Sequence, residues 1–528
     1  MHVGIPIAAG AVAIYMAARL IYLAFLHPLA KYPGPFLSKF TFARASYYAW
    51  KGDIHIDIWR CHEKYGDYVR YGPNQLLVNT AEGLQDIYGR RTSTKFLKSK
   101  HYEVMMHQAA NTFTHRGGKD HLVRRRILAQ GVSAQAQREY ETRIATHIEK
   151  FCGAVFDGTA TNGSGAWSEP RNMAKWCNYL SFDMMADIVF GAQYNLLGDD
   201  RFRYVTEMME KSNVRISALV QFPSLSWLRL DKHLFQEAIF ARNRFLKFVF
   251  RLLRDRMELS NGNVCGIFEK SHATSQLSYS TKSRDIYSRL QEARDPQTGA
   301  GLRKEEMASE STTLIVAGSD TTSCCISSVL FYLSDNPQAY QKAAQEVRSC
   351  VSSQDDITGS NLASCTYLRA CIDEALRMSP PVGTALVREV MTEGTLVSGQ
   401  PVPVGCEVGV GTYAIHHSSQ TYPEPFVYKP ERWLEGNAAA RASFIPFSAG
   451  IRSCLGKGLA YTEITLVIAN LLFRGDFKFA DGELGTVGRG GNKSAVYGRH
   501  RENEYQLYDH IAGQKKGPWL QFSRRVLS

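Results

Sequence analysis

The chain has 528 residues, 44% of them hydrophobic and 21% charged, with a formal net charge of +12. That composition is ordinary globular material and excludes a fibrous or disordered chain. Eleven cysteines, with no C-x-x-C pair and no His/Cys cluster at zinc spacing, exclude a disulfide framework and a zinc ribbon; a basic balance permits nucleic-acid binding, but no reader fold or aromatic platform accompanies it, so no nucleic-acid partner is expected.

Residues Val3 to Leu26 are almost continuously apolar, with Arg19 the only charge, long enough to cross a hydrocarbon core of ~30 Å. Lys31, Lys39 and Arg44 follow, while Met1 to Gly10 holds no Lys or Arg. The positive-inside rule therefore leaves the bulk of the chain in the cytoplasm. A cleavable signal peptide is the alternative reading. Lys31-Tyr-Pro-Gly-Pro35 is a stiff hinge that cannot continue a helix. These features divide the chain into an anchor, 1–30, and a body, 31–528. In a reducing compartment the sequons Asn162-Gly-Ser164 and Asn492-Lys-Ser494 go unused.

In the body, Ile54 to Tyr65 reads as a helix, and Tyr68 to Tyr71, Gly72-Pro73 and Leu76 to Val78 as a hairpin. Helical patterns return over Lys119 to Ala129, Gln135 to Phe151, Asn172 to Val189 and Phe235 to Leu259. Lys270 to Ser283 is serine-rich and Arg294 to Gly301 is turn chemistry, which predicts an exposed loop. A long helix follows over Lys304 to Asp335. Within it, Ala317-Gly318-Ser319-Asp320-Thr321-Thr322 is poor helix material, which predicts a local distortion, unless the hydroxyls only bond back to the preceding turn. Asp481 to Arg501 is a second loop, rich in glycine and charge.

Phe447-Ser-Ala-Gly450-Ile-Arg452-Ser-Cys454-Leu-Gly456 is the most informative stretch. Its glycines allow tight turns and a close approach to a flat ligand. A cysteine before a helix and beside Arg452 is expected as a thiolate, suited to a soft or borderline metal such as haem iron. Taken alone, such a residue also reads as a buried, inert cysteine.

The string resembles the haem-binding signature of the cytochrome P450 superfamily, F-x-x-G-x-R-x-C-x-G, at every fixed position. The resemblance implies a mainly α fold with a small β portion (α+β), a single large helical domain behind an N-terminal transmembrane helix. It implies haem b with Cys454 as proximal iron ligand, Arg452 as a propionate partner and Phe447 packed near the sulfur. Ala317 to Thr322 is similar to the family's oxygen-activation motif, in which Asp320 would feed the Thr321 hydroxyl through ordered water while bulk water is kept out. Glu374-Ala-Leu-Arg377, otherwise an ordinary surface pair, joins Arg432 of Lys429-Pro430-Glu431-Arg432-Trp433 in an implied buried triad, structural rather than catalytic.

His121 and Arg125 lie four apart on one helix face, placed to clasp one propionate, although many family members have Trp at the first position. Arg388 falls where the family puts another propionate partner. The basic run Arg124 to Arg126, with Lys457 and Lys342, reads as a solvated face or as a docking face for an acidic redox partner. Anchored members take electrons from an NADPH-dependent reductase carrying FAD and FMN, with cytochrome b5 as a possible second donor, and reside in the endoplasmic reticulum membrane.

By the same resemblance, Phe96 to Phe113, Phe202 to Phe222, Ile315 to Thr321, Val382 to Leu386 and Tyr505 to Ile511 would line an apolar, partly aromatic substrate pocket. The expected activity is hydroxylation or other oxidation of a small apolar or aromatic molecule in secondary metabolism. Phenol coupling or ring formation on the same scaffold, or a non-oxygenating isomerase or dehydratase, are the alternatives.

Overall fold

The computed structural model describes residues 4–525 except 91–93, 107–108, 159–166, 228, 261–277, 280–283 and 492–495. Both sequons, and nearly all of the serine-rich stretch at Lys270 to Ser283, lie outside the described residues. The chain is 58% helical with 9% strand, so the mainly α expectation holds.

The helices used below are α1 (Gly4–Ile21), α2 (Ala43–Lys51), α3 (Ile54–Tyr65), α4 (Ala81–Tyr88), α5 (Gly118–Gly131), α6 (Ala134–Val155), α7 (Met173–Phe190), α8 (Tyr204–Gln221), α9 (Leu230–Leu234), α10 (Gln236–Ser260), α11 (Ile286–Glu292), α12 (Lys304–Asp335), α13 (Pro337–Cys350), α14 (Thr366–Met378), α15 (Thr412–His416), α16 (Ala438–Ser443) and α17 (Lys457–Arg474). The five-stranded sheet runs in the order β1 (Tyr68–Gly72), β2 (Gln75–Val78), β10 (Glu407–Gly409), β7 (Arg388–Val390) and β3 (Phe96–Lys98). Only the β2–β10 pairing is parallel. Outside it lie the short strands β4 (Arg171–Asn172), β5 (Ala192–Gln193), β6 (Ser278–Tyr279), β8 (Leu396–Val397) and β9 (Gln400–Pro401), then β11 (Gly475–Phe479), the hairpin β12 (Tyr508–His510) and β13 (Ala512–Gln514), and β14 (Trp519–Arg524).

Local chemistry sets several boundaries. Ser133 and Asn172 accept from the backbone of Ala136 and Ala174, capping α6 and α7, and Gly191 closes α7 at φ +70°. Helix α12 runs through the core, where Ile326, Val329, Leu330 and Leu333 join Phe182, Ile188 and Phe190 of α7 and Ile464 and Val467 of α17. The hairpin and the helices α3, α5, α6, α7, α10 and α12 match the expected segments. Helix α8 was not expected as a helix. Its Thr206, Asn213 and Ser217 are buried polar residues with partners of their own, which blurs its apolar face.

The expected distortion is absent, since α12 is an uninterrupted α-helix. Its hydroxyls bond back to the preceding turn, Thr321 to Ala317 O at 2.6 Å and Thr312 and Thr313 likewise. Gly318 instead permits close packing, because a Cβ there would lie 2.5 Å from the Met185 side chain of α7. The apolar N-terminal helix continues past α1 through one π-helical turn, and Ile7–Leu26 is long and apolar enough to span a membrane. Its outward faces are largely exposed.

Candidate functional site

The cysteine loop closes on itself ahead of α17, with the Cys454 N–H donating to Phe447 O at 2.9 Å. Gly450 sits at φ +67°, and a Cβ there would lie 1.9 Å from the carbonyl oxygen of Tyr88. The glycine therefore serves a left-handed turn packed against the end of α4. Gly456, at φ −80°, makes no comparable demand. The Phe447 ring packs on Tyr461 of α17, 5.0 Å between centroids.

Among the ten cysteines described, Cys454 alone is exposed. Its sulfur is nevertheless desolvated by surrounding protein, which raises its pKa, while the N–H groups of Gly456 and Lys457 and the charges of Arg125 and Lys457 pull it back down. Cys454 is thus exposed and yet closely surrounded by protein. Arg452 is not the cation beside it, contrary to expectation. That role falls to Arg125, whose guanidinium donates to Ser453 O at 2.8 Å and Ser453 Oγ at 3.1 Å. Arg125 thus braces the cysteine loop.

Arg452 reaches the other way, donating to Arg116 O, into a group of cations. Lys98 and Arg388 are paired across β3 and β7, and both are buried, as is His121. The Lys98 ammonium donates to Phe113 O at 2.6 Å and lies over the Phe113 and Tyr102 rings, and Arg388 donates to Leu386 O and Val387 O. Among the described residues none of these four makes an ion pair. Desolvation, with the neighbouring cations acting on it, holds Lys98 well below the ordinary lysine range, Arg452 at about 9 and His121 at about 3.

Buried like charges with no counter-ion destabilise a fold unless an anion joins them. The cluster therefore fits a group carrying carboxylates, as the haem propionates do, while the accessible Cys454 sulfur fits an axial thiolate. Lys98 was missed in the sequence. The available signal was strand alternation, which places it on the same face as buried Phe96.

On α12, Ala317 is exposed and Thr321 half-buried in a helix whose other faces are core. Thr313, Ala317 and Thr321 recur every four residues on one face, on which Thr313 is met by Asn111 Nδ2 at 2.7 Å and Ala317 is exposed. Asp320 points elsewhere, buried, with its carboxylate accepting from Asn213 Nδ2 of α8 at 3.0 Å. Burial, then the nearby Glu210 carboxylate, raises its pKa to about 7, against the opposing pull of Lys515 and Asn213. Asp320 and Thr321 share no hydrogen bond.

The implied triad is present. Arg377 donates to both Glu374 oxygens at 2.9 Å, Arg432 to one at 2.9 Å and Trp433 Nε1 to the other at 3.0 Å. Of the expected basic face, Arg124 pairs with Glu306, Arg126 with Asp295 and Lys342 with Glu431, which leaves Lys457 and Arg125, the latter held by Ser453. Of the aromatics expected to line a pocket, Phe96 and Tyr102 are buried in packing, Tyr102 against Phe113 and Lys98.

A helical body with a cysteine loop before its last long helix, a hydroxyl-bearing central helix and an unneutralised cationic cluster defines a haem-thiolate fold. The chain belongs to the cytochrome P450 family, whose model matches residues 32–484, and it is a monooxygenase of that family. It is 44% identical to the cytochrome P450 monooxygenase AKT7 of Alternaria alternata, over 97% of this chain and 95% of the relative. It is 42% identical to the monooxygenase poxM of Penicillium oxalicum, over 99% and 95%, and 39% identical to atnE of Emericella nidulans, over 98% and 96%.

Proposed function

We propose that this monooxygenase hydroxylates or otherwise oxidises a small apolar or aromatic molecule of fungal secondary metabolism. The observation that carries the reading is the exposed Cys454 in a loop braced by Arg125 through Ser453, in a chain whose central helix leaves Ala317 exposed and Thr321 half-buried. Cys454 would be the axial ligand, with Arg452, Arg388, His121 and Lys98 holding the propionates. Phe447 and Gly450 shape the loop, and Arg125 positions it through Ser453. The haem, once bound, supplies dioxygen activation, favoured by the thiolate's electron density.

The chain's own residues would manage protons and water. Asp320, raised to about 7, exchanges a proton with little penalty in either direction at neutral pH, as a proton source requires. Thr321 donates its own hydrogen to Ala317 O, which leaves its oxygen free to accept from a water that carries the Asp320 proton. Residues 1–30 would anchor a catalytic domain, 31–528, on the cytoplasmic side of the endoplasmic reticulum membrane. NADPH–cytochrome P450 reductase, through FAD and FMN, would be the electron donor, with cytochrome b5 able to assist.

The test is the absorption spectrum of the reduced, carbon-monoxide-bound protein beside that of Cys454→Ala. A strongly red-shifted Soret band lost in the variant supports the reading; a Soret band at the ordinary position, or no loss, refutes it. With a substrate found by screening, Thr321→Ala should retain the haem and release more hydrogen peroxide per NADPH. Unchanged product per NADPH would remove Thr321 from the relay.

A further inference from the structure

Lys515, just beyond the β12–β13 hairpin, is buried, and among the described residues it makes no ion pair. Its ammonium donates to Asn178 Oδ1 of α7 at 2.7 Å and to Ser323 Oγ of α12 at 3.0 Å. Asn178 Nδ2 in turn donates to the Glu210 carboxylate of α8 at 2.8 Å. Ser323 is also 2.9 Å from the backbone oxygen of Asp320, and Asn213, three residues after Glu210 on α8, donates to the Asp320 carboxylate. Four elements thus meet around Asp320, one bringing a cation and one an anion, each held by neutral amide and hydroxyl partners.

Lys515 is buried and Glu210 half-buried, and a charge withdrawn from water with only neutral partners acts on nearby titratable groups with reduced screening. The Glu210 carboxylate disfavours ionisation of Asp320 and the Lys515 ammonium favours it. The other titratable groups close to this knot include Cys324 and Cys325 on α12, Cys177 on α7 and Asp509 on β12, all buried; the three thiols are raised by burial and stay uncharged near neutral pH, while burial raises Asp509 to about 7.

We propose that Lys515 and Glu210 are positioning residues that set the charge of the Asp320 carboxylate from opposite directions, so that the C-terminal hairpin and α8 tune the proton source of the reaction. The catalytic meaning of this control rests on the relay proposed above; the control itself does not. Neither residue touches the cysteine loop or the cationic cluster, and neither is part of a motif in the sequence.

The test titrates Asp320 directly, by the infrared carbonyl band of its protonated carboxyl in the haem-bound, full-length protein. Loss of the band in Asp320→Asn assigns it. Lys515→Met should move the midpoint up and Glu210→Gln should move it down, each by roughly half a unit to one unit. Lys515→Arg, which keeps the charge, should stay at the wild-type midpoint. Midpoints that fail to move, that move in the same direction, or that shift equally in Lys515→Arg and Lys515→Met would overturn the proposal. Separately, unchanged product per NADPH in Asp320→Asn would end the relay while leaving the charge control standing.

Discussion

Glu463 lies on α17, 1% exposed, and accepts one hydrogen bond from Thr322 Oγ1 at 3.0 Å. Its Oε1 has no partner among the described residues, and burial raises its pKa from 4.5 to about 8. The sign follows from proton counting. Between pH 4.5 and 8 the unfolded chain has released this proton and the folded one retains it, so stability falls as pH rises across that window. At 1.36 kcal/mol per unit the full loss is about 5 kcal/mol, of which about 3 kcal/mol has accrued by pH 7. For a chain of 528 residues the unfolding entropy is roughly 1 kcal/mol per kelvin, so 3 kcal/mol corresponds to about 3 °C of thermal midpoint.

Glu463→Gln removes the titration and preserves the acceptor for Thr322. It adds an amide whose N–H groups need a partner, a constant cost of about 1–3 kcal/mol that does not vary with pH. The measurement is therefore a difference of slopes: thermal midpoints of wild type and variant from about pH 5 to about pH 9. The variant should gain on wild type steadily up to about pH 8 and then hold a fixed offset. A difference that stays flat across the whole range would refute the reasoning, because it would mean that Glu463 titrates in the folded protein as it does in the unfolded chain.

Glu374→Ala strands Arg377 and Arg432 as buried charges without their carboxylate, at a cost of about 3–5 kcal/mol; haem per polypeptide after purification should fall sharply, and a normal ratio would contradict the triad's structural role. Lys98→Met removes one of the crowded cations, so the haem-free chain should melt higher while the loaded protein loses haem faster to an apo-globin acceptor. A variant that melts higher and keeps its haem longer, or that melts lower and loses it faster, would argue against an anion completing the cluster.

Some of this was legible in the sequence because the signal was local. Helix α12 declares its bounds through a long apolar period, and the cysteine loop through a dense motif. What was not legible depends on direction and partnership. Asp320 and Thr321 are adjacent in the chain, yet a helix turns about 100° per residue, and only the packing of α8 shows that the carboxylate leaves the open face. The partners of Arg125 and Arg452 were hidden for the same reason, since a guanidinium on a long stem goes to whichever acceptor the fold offers, Ser453 or Arg116. Lys98, Glu210, Lys515 and Glu463 sit in no motif, and burial by distant segments is what makes them consequential.

The back-bonded hydroxyls of α12 have a consequence for how the chain is made. With Thr312, Thr313, Thr321 and Ser328 turned onto their own backbone, the helix offers its surroundings a greasy exterior, and Lys304–Asp335 satisfies the same length and composition test for crossing a bilayer as Ile7–Leu26 does. In a chain anchored as proposed, the nascent polypeptide would carry this second greasy segment close to the lipid. Docking of α7 and α17 onto α12 would then compete with mis-insertion as well as being a packing event, and because α17 leaves the ribosome after both, α12 would be the one that must wait.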